Sequence, residues 1–299
     1  ALLLPALSSI GSSALAPTHL VIVSGLGGET RFQDAFDSEA LAIYRAAETL
    51  NADTHSLHLL TGDQANREHL LATLEMLQPG ANDQLQLHLI GHGSWDGMQY
   101  KFNLVGPDLT ADDLAANLNQ LGGEQLVALM TSSSGAALEP LTSDNRVVIT
   151  ATKSGLQKNL SLFSSFWAEG VTSELADLDK NEIIDLDELY QFTRNGITNH
   201  YEESGLIASE SSLVEGSELD RFTISRVGLL AGSALDAETE ALLVRRDSLE
   251  SQLDELATRR DDMSEADYFE ALQEIILQLG QIQNQIDMRL EMSNEGLLE

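Results

Sequence analysis

An apolar run that stops abruptly at a glycine-rich turn is the feature that most constrains the fold of this chain. Residues 85–97 read LQLHLIGHGSWDG, so a strand-like segment ends directly at His92 and Gly93. In α/β proteins, ligands bind outside the carboxyl ends of parallel strands, where such small-residue turns lie. The run therefore predicts an α/β fold in which His92 stands at the functional edge of the sheet.

Further apolar runs of strand length precede and follow this segment, and helical patterns lie between most of them. We expect strands at 19–24, 56–60, 125–130 and 146–150, and helices at 36–50, 66–77 and 109–121. Thr110 is the expected N-cap of the third helix, with Asp113 in a capping box. A polar loop at 199–216 and a last strand at 221–230 complete the domain. This order predicts parallel strands, of which the third and fourth bring a histidine and a serine cluster to one edge.

Length, charge and residue usage exclude several classes of protein. The chain has 299 residues, enough for one or two domains with a sizeable core. Its 16 Lys and Arg against 48 Asp and Glu give a net charge of −32, which argues against a nucleic-acid partner because phosphates require a basic surface. The absence of cysteine excludes disulfides, thiolate zinc sites and a cysteine nucleophile. No organic cofactor is expected, because the glycines at 25–28 complete no nucleotide-binding motif.

The first 16 residues predict export to the periplasm or the extracellular space. They combine an apolar stretch with small residues that end at Ala14 or Ala16, as in the second half of a secretory signal peptide. We expect the sequence to begin inside that signal, with cleavage after Ala14. The alternative is an apolar N-terminal arm. No other stretch approaches the length of a transmembrane segment.

The strand order and its two turns resemble the legumain-type peptidases and the wider caspase-like clan. The resemblance rests on Gly-His-Gly-Ser after the third strand, Thr-Ser-Ser-Ser-Gly after the fourth, and the segments HLVIVSG and RVVITATKSG, and it covers 17–230. It implies a caspase-like three-layer α/β sandwich with a mainly parallel central sheet over 17–232. It also implies an endopeptidase, whose substrates or partners are peptides or proteins.

The resemblance also assigns roles to residues of the two turns. His92 matches the general base, Gly93 the donor of an oxyanion-hole N–H, and Ser132 the position of the family's cysteine. Three successive serines leave the match to the family's motif ambiguous. In one alignment Ser134 corresponds to the family's structural serine before glycine. The family's asparagine after the first strand is not evident at 25–26.

The serine at the nucleophile position leaves two functions open. Serine, unlike cysteine, needs a base to remove its proton during attack. One function is therefore an active peptidase with a His92/Ser132 dyad. The other is a catalytically inactive module that acts as a calcium-dependent binding or scaffold protein.

Three polar residues near these turns are candidates for substrate binding. Asp96, in Trp95-Asp96-Gly97, is a candidate neighbour of His92 or of a basic substrate group, and a turn aspartate is the alternative. Lys153 and Ser154 follow the fifth strand. We expect both to line the specificity pocket at the same edge of the sheet.

The segment 177–188, DLDKNEIIDLDE, has the ligand spacing of an EF-hand calcium loop. Its expected ligands are the side chains of Asp177, Asp179, Asn181, Asp185 and Glu188 and the backbone carbonyl of Ile183. Helical patterns at 163–175 and 189–197 flank the loop. Glu182 replaces the usual glycine, which should cost on the order of 1 kcal/mol of affinity, partly offset by its carboxylate. An acidic loop without metal is the alternative.

Residues 233–299 predict a separate α-helical hairpin. Leucines recur every seven residues at 235, 242, 249 and 256, and a second apolar pattern runs from 269 to 290 after a capping box at Ser264 and Asp267. The two helices meet at 260–263. Because neither can bury its apolar side alone, we expect the hairpin to pack on itself, on the main domain, or on another copy or partner.

Overall fold

The structure, a computed structural model, describes residues 17–50, 56–232 and 235–294. Residues 17–232 form one compact unit, and residues 235–294 belong to a second. The predicted signal peptide or N-terminal arm at 1–16 lies outside the described residues. None of the helices within the described ranges is long and apolar enough to span a membrane.

The first unit contains eleven strands and six α-helices within the described ranges. The strands are β1 (Thr18–Ser24), β2 (Ser56–Leu60), β3 (Gln84–Gly91), β4 (Gly93–Trp95), β5 (Tyr100–Phe102), β6 (Leu109–Thr110), β7 (Glu124–Thr131), β8 (Arg146–Thr150), β9 (Ile183–Asp185), β10 (Leu213–Glu215) and β11 (Thr223–Arg226). The helices are α1 (Thr30–Ala47), α2 (Arg67–Leu77), α3 (Ala111–Leu118), α4 (Leu138–Leu141), α5 (Phe163–Gly170) and α6 (Leu186–Ser204).

The central sheet has the order β2-β1-β3-β7-β8-β10. All neighbouring pairs are parallel except β8 and β10, which run antiparallel. The predicted α/β fold with a mainly parallel sheet is therefore confirmed. Because β3 and β7 pair directly, their carboxyl ends lie side by side, as the sequence predicted.

Each face of this sheet has its own hydrophobic core. On one face, α1, α5 and α6 bury residues such as Phe36, Trp167 and Leu189. On the other face, α2 and α3 bury Leu70 and Leu114 among others. Helices thus cover both faces, which gives the expected three layers and explains why the parallel strands are apolar on both sides.

Four segments differ from the sequence prediction. Helix α1 begins at Thr30 rather than at 36, and α5 ends at Gly170 rather than at 175. The predicted strand at 221–230 is limited to β11, which pairs with β9 outside the central sheet. The predicted polar loop at 199–216 contains the last turns of α6 and the edge strand β10. Short strands with few apolar residues give a weak periodic signal, so β10 is indistinguishable from a loop in the sequence.

The second unit is a helical hairpin formed by α7 (Ala237–Thr258) and α8 (Glu265–Asn294), which pack against each other. Its buried apolar residues include Leu249, Leu256, Ile282 and Ile286, together with Leu243 rather than the predicted Leu242. Arg246 is buried and donates to the Gln283 side chain at 3.1 Å, so this arginine serves the hairpin itself. The predicted hairpin is confirmed.

Candidate functional site

The carboxyl ends of β3 and β7 bring the two predicted turns together. Gly91 and Thr131 are paired in register as the last residues of these strands. His92 and Ser132 follow directly, so both candidates leave the sheet at the same edge. The sequence prediction of a shared edge is therefore confirmed, and the contacts of each side chain define what the site can do.

The His92 ring is held between two aromatic side chains and one backbone carbonyl. Phe32 and Phe36 of α1 make edge contacts with the ring, at centroid distances of 5.3 and 5.1 Å. The ring Nε2 lies 3.2 Å from the carbonyl oxygen of Gly27. A carbonyl oxygen only accepts hydrogen bonds, so this contact requires the proton on Nε2. The neutral ring then has its lone pair on Nδ1, which is the nitrogen able to take a proton.

Ser132 is hydrogen-bonded to the peptide that follows His92. Its hydroxyl donates to the carbonyl oxygen of Gly93 at 2.9 Å, and the Gly93 N–H points at the hydroxyl oxygen at 3.3 Å. Ser132 as a whole is only 6% exposed. A Cβ on Gly93 would lie 2.4 Å from the Ser132 carbonyl oxygen, so only glycine permits this approach. The histidine turn and the serine turn are thus in direct backbone contact.

The neighbouring serines are bonded elsewhere. Ser133 adopts a left-handed conformation with φ 58°, and its N–H donates to the Gln157 carbonyl at 2.8 Å. The Ser134 hydroxyl oxygen accepts from the Thr152 N–H at 3.1 Å and lies 3.2 Å from the Thr152 hydroxyl. Ser134 therefore joins two turns of the backbone, and Ser132 is the serine whose hydroxyl contacts the His92 turn.

Asp96 stabilises its own turn. Its carboxylate accepts from the N–H groups of Gln99 and Met98, at 2.9 and 3.0 Å, and from the Lys101 ammonium at 3.3 Å. These hydrogen bonds, the Gln99 bond foremost, hold the pKa of the Asp96 carboxyl below its usual range. Every one of these partners belongs to the β4–β5 hairpin, and a role in substrate binding stays a prediction.

Lys153 and Ser154 lie against the serine turn through their backbone. A Cβ on Gly135 would come within 2.2 Å of the Ser154 nitrogen. Lys153 is exposed, and its backbone N–H donates to the Gln157 side-chain oxygen at 2.7 Å. The structure thus brings both residues next to the 132–135 turn, and their expected part in substrate recognition stays a prediction.

One partner of His92 was missed by the sequence reasoning. Gly27 belongs to the glycine cluster after β1, whose residue types suggest a phosphate loop and nothing else. A Cβ on Gly27 would lie 2.4 Å from the Gln33 nitrogen, so the loop packs closely on the first turn of α1. The cluster of glycines was the available signal for a functional loop. Because every residue has a backbone carbonyl, no sequence pattern identifies the one that contacts His92.

In the 177–188 loop, three carboxylates converge. Ligand atoms of Asp177, Asp179 and Glu188 all lie within 4.8 Å of one another. Asp177 and Glu188 are buried, whereas Asp179 is exposed. Such hard oxygen donors are the ones that calcium prefers, so the donor set fits this ion.

The other expected ligands stabilise the loop and the next helix. The Asn181 side-chain oxygen accepts from the Ile183 N–H at 2.7 Å. Asp185 is the N-cap of α6 and forms a capping box with Glu188. Burial raises the pKa of Asp185 to about 6 and that of Glu188 to about 7. Since a bound cation would favour the ionised forms, crowded acidic groups of this kind are suited to a positive ligand.

Glu182 departs from its expected role. It adopts the left-handed conformation, with φ 65°, that glycine has at this position of the motif. Its carboxylate, however, accepts from the Leu230 N–H at 3.0 Å. The expectation that this carboxylate would strengthen the ion site is therefore not supported by its contacts, because it is directed to the segment after β11.

The loop and the His92 turn lie toward opposite ends of β3. The loop contains β9, which pairs with β11. In β11, the Thr223 carbonyl accepts a hydrogen bond from the Gln86 side chain at 2.9 Å. Gln86 is near the amino end of β3, and His92 follows the carboxyl end. At about 3.3 Å per residue, these two positions are about 20 Å apart along the strand. An ion in the loop would therefore act on the fold rather than on the reacting atoms.

Comparison with known proteins gives one family match in sequence. A model of the peptidase C13 family matches residues 38–221, which is more than half of the chain. This range contains His92, Ser132 and the 177–188 loop. No curated protein matches the chain.

Solved structures of two caspases and of a bacterial cysteine protease are similar to this chain. The Drosophila initiator caspase Dronc has 11% identity and a TM-score of 0.47, with 74% of this chain and 85% of that chain covered. Caspase-1 from Spodoptera frugiperda has 9% identity and a TM-score of 0.42, with coverages of 68% and 87%. A secreted C11 cysteine protease from Bacteroides thetaiotaomicron has 10% identity and a TM-score of 0.42, with coverages of 87% and 82%.

Proposed function

Since the chain belongs to the peptidase C13 family, we propose that it is an endopeptidase whose nucleophile is Ser132 and whose general base is His92. The observation that carries this proposal is the hydrogen-bonded contact between the Ser132 hydroxyl and the Gly93 peptide. This contact places a hydroxyl beside a histidine turn at the edge of the sheet where α/β proteins bind ligands.

The first step of the proposed reaction is activation of the hydroxyl. Ser132 rotates about its Cα–Cβ bond, exchanging its hydrogen bond to Gly93 for one to the Nδ1 of His92. Its oxygen attacks the substrate carbonyl carbon while His92 takes the proton. The Gly27 carbonyl, 3.2 Å from Nε2, stabilises the imidazolium that forms.

The second step distributes the charge and the proton. The negative oxygen of the tetrahedral intermediate accepts from the Gly93 N–H, which is released when the hydroxyl rotates away. The imidazolium gives its proton to the departing amine as the C–N bond breaks. Water then hydrolyses the acyl group on Ser132, with His92 again taking and returning a proton.

A second candidate function, a non-catalytic binding or scaffold module, is favoured by one observation. Ser132 is 6% exposed, and its hydroxyl donates to a backbone carbonyl rather than to His92. In that function the serine stabilises the contact between the two turns, and substrate peptides are replaced by a protein partner.

Covalent labelling with a fluorophosphonate separates these functions, because the probe reacts only with an activated serine. We expect labelling of the full chain to be lost in Ser132→Ala. Ser94→Ala is the matched control, since Ser94 is exposed in β4, directly after the His92 turn, and should leave labelling unchanged. Labelling that persists in Ser132→Ala, or that is absent with calcium present, contradicts the peptidase proposal.

We also propose that the 177–188 loop binds calcium. Asp177, Asp179 and Glu188 would supply carboxylate oxygens, Asn181 an amide oxygen and Ile183 a backbone carbonyl, while Asp185 would act through water. The ion would neutralise the crowded carboxylates and so stabilise the fold. Export to a compartment rich in calcium, as residues 1–16 predict, would keep such a site filled.

Calorimetric titration with calcium tests this site. Glu188→Gln should bind calcium at least tenfold more weakly, because it removes a charge and one ligand oxygen. Asp187→Asn is the matched control: the residue lies next to Glu188 and its carboxylate accepts from Gln191 outside the loop. Equal affinity of Glu188→Gln and the wild type contradicts the assigned loop.

A further inference from the structure

The residues that contact the His92 ring come from the start of α1 and from the loop before it. Phe32 and Phe36 contact the ring, and the Gly27 carbonyl oxygen lies within hydrogen-bond distance of its Nε2. One turn of the helix thus faces the ring with aromatic side chains. The polar residues in the same turns, Gln33 and Asp37, have no part in the chemistry proposed above.

The Gln33 side chain connects Gly27 to the rest of this segment. Its oxygen accepts from the Gly27 N–H at 2.9 Å. Its nitrogen donates to the Asp37 carboxylate at 3.0 Å and to the Gly25 carbonyl at 3.3 Å. The partners also settle which end of the amide is oxygen, because a rotated amide would direct its NH2 at the Gly27 N–H.

Asp37 anchors this amide in turn. The carboxylate oxygen that accepts from Gln33 also accepts from the Ser24 hydroxyl at 2.6 Å. Ser24 is the last residue of β1 and is fully buried. The chain of hydrogen bonds therefore runs from the rigid sheet through Asp37 and Gln33 to Gly27.

These bonds hold Gly27, the residue whose carbonyl faces His92. The same oxygen accepts from the Glu29 N–H at 2.8 Å, and the Gly27 backbone is in van der Waals contact with Gln33. Helix α1 itself gains no cap from this arrangement, since Glu29 at the N-cap makes no side-chain hydrogen bond to the helix. The Gln33 amide is thus directed at the loop that faces His92.

We propose that Gln33 is a positioning residue that, through Gly27, holds His92 with its proton on Nε2 and its basic Nδ1 free. This inference rests on the proposed function, because it concerns the basicity of His92 toward the residue at 132. Asp37 acts one step further back, by holding the Gln33 amide. Loss of Gln33 lets the Gly27 carbonyl turn away, and the two ring nitrogens then compete for the proton.

A single introduced thiol measures this effect directly. The chain has no cysteine, so Ser132→Cys carries one thiol, and its alkylation by iodoacetamide reports the thiolate alone. The pH dependence of the alkylation rate gives the thiol pKa. A correctly held His92 lowers that pKa below the usual value of about 8.5, because the imidazolium stabilises the thiolate.

In the Ser132→Cys chain, we expect Gln33→Met to raise the thiol pKa by about one unit and to slow alkylation at pH 7 about tenfold. Asp37→Ala should act in the same direction, whereas Asp37→Asn should restore the parent rate within about twofold because its amide oxygen still accepts. Gln191→Met, an exposed glutamine of α6, is the matched control. A merely structural role of Gln33 would lower the melting temperature and leave the thiol pKa unchanged.

The outcomes separate this inference from the proposed function. If His92→Ala leaves the thiol pKa unchanged, the proposed function itself is contradicted, because His92 then does not act on residue 132. If His92→Ala raises the pKa and Gln33→Met does not, only the positioning role is wrong. Should Gln33→Met fail to fold, the two Asp37 variants in the Ser132→Cys chain decide instead: a thiol pKa that rises in Asp37→Ala and returns to the parent value in Asp37→Asn supports the inference, and an unchanged thiol pKa in Asp37→Ala overturns it.

Discussion

His88 and His92 lie four residues apart, in the middle of β3 and just beyond its end. His88 is completely buried, contacts Trp167 at a centroid distance of 5.9 Å, and has no hydrogen-bond partner for either ring nitrogen among the residues that the structure describes. His92 is bonded to the Gly27 carbonyl.

The environments have opposite chemical consequences. Burial lowers the pKa of His88 to about 3, so this ring stays neutral and inert at any physiological pH. His92 has its Nε2 beside the Gly27 carbonyl and stands at the carboxyl edge of the sheet. The comparison teaches that a histidine in a parallel strand becomes a core residue or a candidate base according to its distance from the carboxyl end of the strand.

The largest expected effect is on the rate of fluorophosphonate labelling of Ser132, which should depend on His92 and not on His88. His92→Ala should slow fluorophosphonate labelling of Ser132 at least 100-fold, because general-base assistance contributes about 10²–10⁴-fold. His88→Leu should stay within about threefold of the wild-type rate. Labelling rates of the two variants, measured in parallel at neutral pH, check the contrast. Equal loss in both would mean that the end of the strand has no special role.

The next effect concerns the glycine that joins the two turns. Gly93→Ala should lower the free energy of unfolding by about 2–3 kcal/mol, since its Cβ would overlap the backbone of Ser132 and the Tyr100 ring. Gly280→Ala is the control, because an added Cβ in helix α8 would meet no atom within 4 Å apart from the adjacent backbone of that helix. Denaturant unfolding should show this control to be as stable as the wild type or up to about 1 kcal/mol more stable. A Gly93→Ala chain of wild-type stability would refute the close contact.

The smallest effect is the pH dependence of stability due to His88. The pKa of His88 is about 3 in the folded chain, below the ordinary value of 6.5, so the unfolded chain binds the proton first. Its contribution to stability is therefore complete above pH 6.5 and is lost as the pH falls toward 3. Between pH 6.5 and 5 the loss should be about 2 kcal/mol, at 1.36 kcal/mol per unit.

Denaturant unfolding across this pH range, compared between variants, isolates that contribution. His88→Leu should remove it and flatten the curve, whereas His69→Gln, a change at an exposed histidine of α2, should not. If the slope between pH 6.5 and 5 is the same in His88→Leu and the wild type, His88 is not the group responsible.

Local patterns were sufficient for much of this fold. The apolar runs at 56–60 and 146–150 coincide with β2 and β8, and Thr110 accepts from the Asp113 N–H as the predicted N-cap. The adjacency of β3 and β7 followed from parallel order. Strand β10 was not predicted, because a three-residue edge strand has too little apolar periodicity to be distinguished from a loop.

The 177–188 loop and the His92 site also differ in how much of each could be predicted from the sequence. The ligands expected in 177–188 come from one continuous segment, so their spacing is recognisable in the sequence alone. The partners of His92 come from the loop after β1 and from α1, more than fifty residues earlier in the chain. No local pattern connects them, which is why Gly27 and Gln33 were not predicted.

The amino-acid sequence alone determined the parallel α/β arrangement, the edge at which His92 and Ser132 emerge, and the spacing of acidic residues in the 177–188 loop. These depend on short-range periodicity and on the rule that parallel strands end together. Only the tertiary structure decided which nitrogen of His92 faces the Gly27 carbonyl, which serine contacts the His92 turn, and where the Glu182 carboxylate is directed. Each of these is a contact between a side chain and a backbone group distant in the sequence, and its geometry arises only when the helices and loops pack against the sheet.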